Sequence, residues 1–345
     1  LADLQRPNLS LSNPFDASSL SAAPLPNLNV LQPHMRQTRV QTWGFSIEHQ
    51  FGARAVLQVG YEGSVTSNDY VLVQTNDASP GSTPRQSRRP YPQFQSISSI
   101  LSNGSNDHHG LEVRAERRAG PDGFTLQLAY TWSKTLDTVG GRLAVPGDPG
   151  GVSRNLPQSL NRGLSEANIP SQLVIMAGYE SPFGKGKPFL TNHLMGKVLG
   201  GWTFQDILTM SHGPYFTPVL GSDRLDTGST ASSRPDAIRN PNLSSGRTPQ
   251  VWFDTAAFAT PAPFVYGNAG RSILEGPGLF NLDFALVRKF SYHDRLGVVL
   301  RFEAFNATNR TNFGLPGNTF GTATFGVVGS SLAPRSIQFG LKVSF

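Results

Sequence analysis

The clearest pattern of hydrophobic and polar positions lies in the last ten residues. Ile337, Phe339, Leu341, Val343 and Phe345 alternate with residues that are polar or small. A period of two residues gives a β-strand one apolar and one polar face, and a helix cannot produce this separation. The pattern therefore predicts a strand, and by itself it fits both a soluble edge strand and a membrane strand. The final residue of this segment, Phe345, is aromatic.

Similar alternation occurs in eight earlier segments, which form pairs separated by brief turns. A Phe51-Gly52 turn separates the first pair, and the turn AGPDG at 119–123 separates the second. Pro, Asp and Gly in such a turn each supply the required backbone geometry. In one segment the pattern is imperfect, because Asp206 falls on the apolar face. The predicted strands lie at 43–51, 53–62, 111–116, 124–133, 173–179, 202–210, 282–286, 296–303 and 336–345.

Long polar segments rich in Gly and Pro separate the strand pairs, at 64–107, 137–170, 212–277 and 306–335. Structureless loops of roughly 30 to 65 residues are uncommon in compact soluble domains. Outer-membrane barrels combine long extracellular loops with short periplasmic turns, and their strands are apolar outside and polar inside. We therefore predict an all-β fold, the carboxyl-terminal portion of an antiparallel transmembrane β-barrel with about nine to ten strands. Its last strand would face lipid through Ile337, Phe339, Leu341, Val343 and Phe345.

Composition agrees with many strands joined by long, irregular and uncharged loops. Charged residues are only 15%, whereas the chain contains 36 Gly and 26 Pro, and no Cys. Apolar runs stay far below the ~20 residues of a membrane helix. The net charge of +6 comes from dispersed Arg and Lys, so we expect no nucleic-acid partner. The first 35 residues show no period and predict a loop, and a start at Leu1 is expected for a piece of a longer chain.

Charged side chains on the polar faces of the predicted strands are the candidate functional residues. They could form a lumen wall that contacts a polar ligand or another domain. They could instead form ion pairs between neighbouring strands, which would only balance the charges of solvated side chains. The predicted lumen-facing charges are Glu112, Arg114, Glu116, Asp283, Arg301, Glu303 and Lys342.

Other chemistry is weakly represented. Asp107, His108 and His109 could bind a metal ion, but a solvated loop-to-strand junction is the favoured interpretation. A secreted carbohydrate enzyme would need a carboxylate pair in a cleft. Only Glu112 with Glu116, or Asp283 with Glu303, could supply one, and neither position favours it. We therefore predict no catalytic, cofactor-binding or metal-binding residues. Asn306, Asn309 and Asn312 are expected to be hydrogen-bonded turn residues.

Several short strings, in this order and spacing, resemble the carboxyl-terminal barrel of TonB-dependent receptors with an amino-terminal carboxypeptidase-regulatory-like domain, the Oar-like group. Each string alone is weakly specific, and the resemblance covers nearly the whole chain. The strings are RRPYPQF at 88–94, LAYTWSKTLD at 128–137, SPFGKGK at 181–187, GGW at 200–202, GNAGR at 267–271, NLDFAL at 281–286 and RFEAFNATNRTNF at 301–313.

The resemblance implies a barrel of ~22 strands with a plugged lumen. It also implies uptake of a bulky nutrient, powered by a TonB-type energy-coupling complex that contacts residues upstream of this chain. We therefore expect residues 1–345 to be a partial barrel domain without its plug and first strands. The expected partners are outer-membrane lipid, the barrel assembly machinery, the plug of the intact chain and an unknown ligand at the external loops. A structural or adhesive barrel of the same build is the alternative.

Overall fold

Nine long strands dominate the protein in a computed structural model, which describes residues 25–138, 151–191, 194–230, 232–292 and 296–345. Successive strands run antiparallel. The strands are β1 (Arg39–Phe51), β2 (Ala55–Gln74), β3 (Ile97–Arg117), β4 (Phe124–Asp137), β5 (Ser171–Glu180), β6 (Trp202–Ser211), β7 (Leu279–Tyr292), β8 (Leu296–Phe305) and β9 (Ser336–Ser344).

The nine strands form one sheet in chain order, from β1 at one edge to β9 at the other. Each predicted strand is present, so the predicted antiparallel all-β fold is confirmed. The register keeps the alternation in phase between neighbours: Phe302 lies opposite Phe339, and Leu300 lies opposite Leu341. One face of the sheet, the apolar face, therefore carries these side chains, and the polar face carries Arg301. Among the described residues, β1 pairs only with β2 and β9 only with β8, so the sheet is open.

The connections at the end of the sheet near Phe345 are mostly brief. Gly52, in the turn between β1 and β2, has φ +59°, and Gly123, before β4, has φ +70°. These are left-handed conformations that Gly adopts without steric cost. The link from β5 to β6 is longer than a turn and contains an α-helix, Leu194–Leu199. Of the predicted turn at 291–295, residues 293–295 lie outside the described part of the chain.

Two predicted loops were wrong in part. The segment 64–107 was expected to be a loop, but β2 continues to Gln74 and β3 begins at Ile97. These strand extensions carry polar residues on both faces, so they lack the alternation that marks a membrane strand. In the predicted loop at 1–35, Leu28–Leu31 forms a strand that pairs parallel with β3; residues 1–24 lie outside the described part.

The long segments at the other end of the sheet fold together into what we call the cap, defined as the described residues 75–96, 151–170, 212–230, 232–278 and 306–335. The predicted long loops are therefore present, and in the described ranges they contain short strands and helical turns. Two further helical turns are the 3-10 helices Arg85–Arg88 and Thr255–Ala257, and a one-turn α-helix spans Gln158–Asn161. Short strands pair within the cap: Tyr215–Phe216 with Leu274–Glu275, Val219–Leu220 with Thr319–Phe320, and Asp236–Ala237 with Phe258–Ala259. Two more, Val152–Ser153 and Gly163–Leu164, extend the main sheet at β2 and β4.

The cap has the main hydrophobic core of the described structure. Phe253 is 1% exposed, and its ring centroid lies 4.9 Å from that of Phe325. Phe258 packs edge-on against both rings. Other buried members of this core are Phe216, Ala257, Ala269 and Leu274. In the described ranges, no helix has the length and apolar character needed to cross a membrane.

Candidate functional site

The predicted lumen charges lie on the polar face in two separate groups. On β3, the Arg114 guanidinium donates to the Glu112 carboxylate over 2.7 Å, and Arg118 donates to Glu116 over 3.4 Å. Both pairs join residues two positions apart on one chain segment. The expected ion pairs between neighbouring strands are therefore not how these charges are balanced on β3, because each Glu finds a nearer partner along its own strand.

The second group lies four or more strands away, on β7 to β9. The Arg301 Nε donates to Glu303 over 2.6 Å, and Gln338 on β9 also donates to Glu303. Asp283 instead accepts the backbone N–H of Asn306 and the side-chain amide of Asn281, both over 2.9 Å. The described ion pairs do not include Lys342. The structure thus joins Arg301 with Glu303 but brings neither group into contact with the other.

Carboxylates missed in the sequence extend the β3 group. Glu48 on β1 lies opposite Gln58, and Glu62 on β2 lies opposite Gly110, both in polar-face positions of the register. The His108 Nε2 lies 3.4 Å from Glu62. The strand alternation would have placed both carboxylates on this face, because each falls at a polar position of a predicted strand.

The segment from Asp107 to His109 lies within β3, so the predicted loop-to-strand junction was wrong. Its three side chains diverge. Asp107 pairs with Arg162, the His108 Nδ1 lies 2.8 Å from the Thr135 hydroxyl, and the His109 Nδ1 lies 2.6 Å from the Tyr61 hydroxyl. Neighbouring strand residues point to opposite faces, which separates the two imidazoles. Across the described residues, no cluster of three acidic, His or Cys side chains could hold a metal ion.

A buried ion pair fastens the cap to the sheet. The Arg271 guanidinium donates to the Asp137 carboxylate at the end of β4, and both side chains are at most 3% exposed. The same guanidinium also donates to the Asp137 carbonyl over 2.8 Å. Burial lowers the pKa of Arg271 to about 10, so the group still carries its charge at neutral pH. Asp137 is the last residue of the string at 128–137, and Arg271 is the last residue of the string at 267–271. Their places in these strings were the only indication in the sequence that the two residues could be important.

A second polar cluster joins two cap segments. Arg85 and Arg88 both donate to the Asp226 carboxylate, which ties 75–96 to 212–278. Beside them the Asp77 side chain is 3% exposed, and burial raises its pKa to about 6. Arg89, whose guanidinium donates to the Asn76 carbonyl over 2.6 Å, opposes this rise. Sequence gave no indication that Asp77 would be buried.

The three asparagines after β8 are hydrogen-bonded turn residues, as predicted. Asn306 has φ +48°, and its side chain binds both the N–H and the carbonyl of Arg310. Asn312 exchanges two hydrogen bonds with the backbone of Phe280. Asn309 accepts the N–H of Arg335 over 3.1 Å. These contacts hold the last cap segment against the top of β7.

A long antiparallel sheet, with long segments at one end and mostly brief connections at the other, is the arrangement found in outer-membrane barrels, of which this open sheet would form a part. The family model for the outer membrane beta barrel domain matches residues 2–338. The chain belongs to this family, and its location is the bacterial outer membrane. The family is one of membrane barrels, so the secreted carbohydrate enzyme is set aside.

Several solved structures are similar to this chain. The chain is similar to the outer membrane transporter YddB from Escherichia coli, with a TM-score of 0.52 and 11% identity over 93% of this chain and 34% of that one. It also matches FpvA from Pseudomonas aeruginosa bound to pyoverdine and iron (TM-score 0.47, 11% identity, 90% and 27% covered) and the FrpB iron transporter from Neisseria meningitidis (0.44, 13%, 92% and 32%). The chain spans about a third or less of the length of these structures. No curated protein matches it.

Proposed function

We propose that this chain is the carboxyl-terminal part of the barrel of a TonB-dependent receptor that imports a bulky nutrient. The open sheet is the observation that carries the partial barrel, and the similarity to the outer membrane transporter YddB favours transport. Among the described residues, β1 and β9 each have one edge without a partner strand. Unpaired backbone groups in lipid each cost several kcal/mol, on the order of a lost hydrogen bond or more, so membrane sheets close. Further strands are therefore needed, and they would lie upstream of Leu1.

Under this proposal, residues 1–345 form a partial barrel domain, and the plug and first strands belong to the preceding chain. The apolar face would contact lipid, with β9 contributing Ile337, Phe339, Leu341, Val343 and Phe345. The exposed fraction of Phe339 is 81% and that of Phe345 is 104%, which supports an environment outside this chain for both rings. The polar face would line the lumen and meet the plug through Glu112, Arg114, Glu116, Asp283, Arg301, Glu303 and Lys342.

Ligand capture would fall to the cap. The cap has its own hydrophobic core, and the buried ion pair of Arg271 with Asp137 connects it to the sheet. It therefore presents a surface of defined shape. Transport would then follow movement of the plug, powered through the TonB-type complex. Oar-like membership, suggested by the strings in the sequence, remains a prediction. Assembly by the barrel assembly machinery is proposed from the terminal aromatic residue.

The proposal is tested without knowing the nutrient. The intact gene product, purified in detergent, is titrated with the periplasmic domain of the TonB protein from its own host, and binding is measured by surface plasmon resonance. A transporter should bind this domain with a micromolar or lower Kd. A folded barrel that shows no binding at 100-fold higher concentration would contradict transport and favour the structural or adhesive alternative.

A further inference from the structure

We propose that the junction between cap and sheet on the apolar face binds the headgroup of a phosphate-bearing membrane lipid. The cap overhangs this face and leaves two adjacent clefts, of about 430 and 640 Å³. The clefts adjoin, because Trp132 and Pro170 line the first while Tyr130 and Ser171 line the second. The inference rests on the proposed function, in which the apolar face of the sheet contacts lipid; an overhang on this face then lies where lipid headgroups meet protein.

The floor of the overhang is apolar, and the strand register shows which residues form it. Tyr130 lies opposite Leu173, Leu173 opposite Met210, and Met210 opposite Phe280. These four side chains form one row across β4 to β7 on the apolar face. The exposed fraction of Met210 is 40%, although the cap lies directly above it. Such a floor suits the upper part of an acyl chain and offers nothing to a small soluble anion.

Aromatic and cationic side chains lie above this row, toward the cap. Along β4 the apolar-face positions are Tyr130, Trp132 and then Lys134, each step rising roughly 7 Å. Trp132 is 61% exposed. Above the second cleft, the Arg310 guanidinium lies 5.1 Å from the ring centroid of Phe280. From the floor to the rim, the side chains change from apolar to aromatic to cationic. A lipid lying along them would meet these side chains with its acyl chains, its interfacial region and its headgroup, in that order.

Within the described part of the chain, two of the rim cations have no acidic partner. Arg247 donates to Glu275 over 2.9 Å, and the His212 Nε2 lies 3.0 Å from the same carboxylate, so these groups are satisfied within the cap. In contrast, the ion pairs of the described residues include neither Lys134 nor Arg310. The two cations lie three strands apart, roughly 14 Å across the sheet, so one phosphate at each of them would complement the charges, as in a lipid with two phosphate groups. The lipid, rather than a free anion, is the occupant because only a lipid also covers the floor.

Native mass spectrometry of the intact protein in detergent tests the proposal, with diphosphorylated lipid A as the probe. We expect lipid A to remain bound and its fully dephosphorylated form to bind at least fivefold more weakly. Lys134→Gln and Arg310→Gln should each weaken lipid A binding about fivefold, since a cation near an anionic lipid surface contributes on this scale. The matched controls Lys185→Gln and Arg54→Gln lie in the opposite turns, and each should change binding less than twofold.

Three results would overturn the proposal. One is equal retention of the phosphorylated and dephosphorylated forms by the unaltered protein, a comparison that needs no variant to fold. A second is unchanged affinity in both folded rim variants. A third is displacement of lipid A by an equal concentration of inorganic phosphate, which would show a site for a free anion instead of a lipid.

Discussion

Two phenylalanines show how differently the sheet and the cap are held together. Phe339 on β9 is 81% exposed, whereas Phe253 in the cap is 1% exposed. Phe339 follows a strict alternation, but Phe253 lies in a segment without period that is rich in Pro, Ser and Gly. The sheet is therefore held together mainly by hydrogen bonds between its strands, whereas the cap is held together by a buried aromatic core.

The difference has a physical origin. A membrane barrel turns its apolar face to lipid, so its hydrophobic pattern is periodic and its side chains need no partner within the chain. The cap instead buries its apolar side chains against one another, as a soluble domain does. Each cap segment supplies only a few core residues, and these meet through long-range packing. The two regions should consequently respond to substitutions independently.

The largest effect is expected for Phe253→Ala in the cap. Removing a fully buried Phe costs about 4 kcal/mol, from lost transfer free energy and the cavity left behind. Hydrogen exchange of the intact protein should show the opening free energy of cap amides falling by this amount, while amides of β4 to β9 keep their protection. Leu332→Ala, a cap residue with 56% exposure, is the control and should change little. Equal loss of protection in the strands would show that cap and sheet unfold as one unit.

The next effect concerns the apolar face. Leu341→Arg places a charge near the middle of the lipid-facing surface proposed for β9, at a cost of roughly 3 kcal/mol. Gln338→Arg, on the polar face of the same strand, should cost little because Glu303 is already within hydrogen-bond reach of that position. Urea titration of the intact protein folded into bilayers measures both. Similar midpoints for the two variants would contradict the proposed facing of β9.

These two regions also mark what the sequence predicted. The nine strands and their order followed from alternation, and the register preserves it at pairs such as Phe302 and Phe339. The ends of β2 and β3 did not follow, because polar residues occupy both faces of these extensions and the period of two disappears. The cap core, built on Phe253 and Phe325, was not predictable, since its members are 72 residues apart with no local signal.

The candidate site was predicted in part. Polar-face positions of the charged residues followed from the period of two, but their partners did not. Glu112 and Glu303 pair along their own strands, whereas Asp283 binds the backbone of Asn306. Partner choice depends on side-chain reach and on turns that close locally, and neither can be read from alternation. The burial of Asp77 and Asp137 depends on cap packing and was missed for the same reason as the core.

A pH-dependent effect is expected at Asp77. Its pKa is raised from 3.8 to about 6, first by burial and next by the nearby Asp223, against the opposing Ser153, Arg89 and Arg154. The folded cap therefore holds this proton more tightly than the unfolded chain. The associated stabilisation is complete below pH 3.8 and is lost as the pH rises through 6. Cap stability should fall across this range by about 2 kcal/mol.

Asp77→Asn separates this titration from all others in the cap. The amide carries no proton to lose, so the variant should exceed the unaltered protein in cap stability at pH 7.5 and match it near pH 4. Hydrogen exchange at both pH values, corrected for intrinsic rates, measures the difference between the two proteins. A constant difference between pH 4 and 7.5 would exclude Asp77 as the titrating group.

The smallest effect is expected on the polar face, at Glu303→Gln. The carboxylate accepts from Arg301 and from Gln338, but ion pairs on a wet surface contribute little, because water and salt screen them. The urea midpoint of the intact protein should therefore not change measurably, with Glu48→Gln as a control on a distant strand. A clear drop for Glu303→Gln alone would mean that the intact protein buries this pair, as a plug seated against β8 and β9 would do. An unchanged midpoint would leave the pair as simple charge satisfaction on a solvated wall.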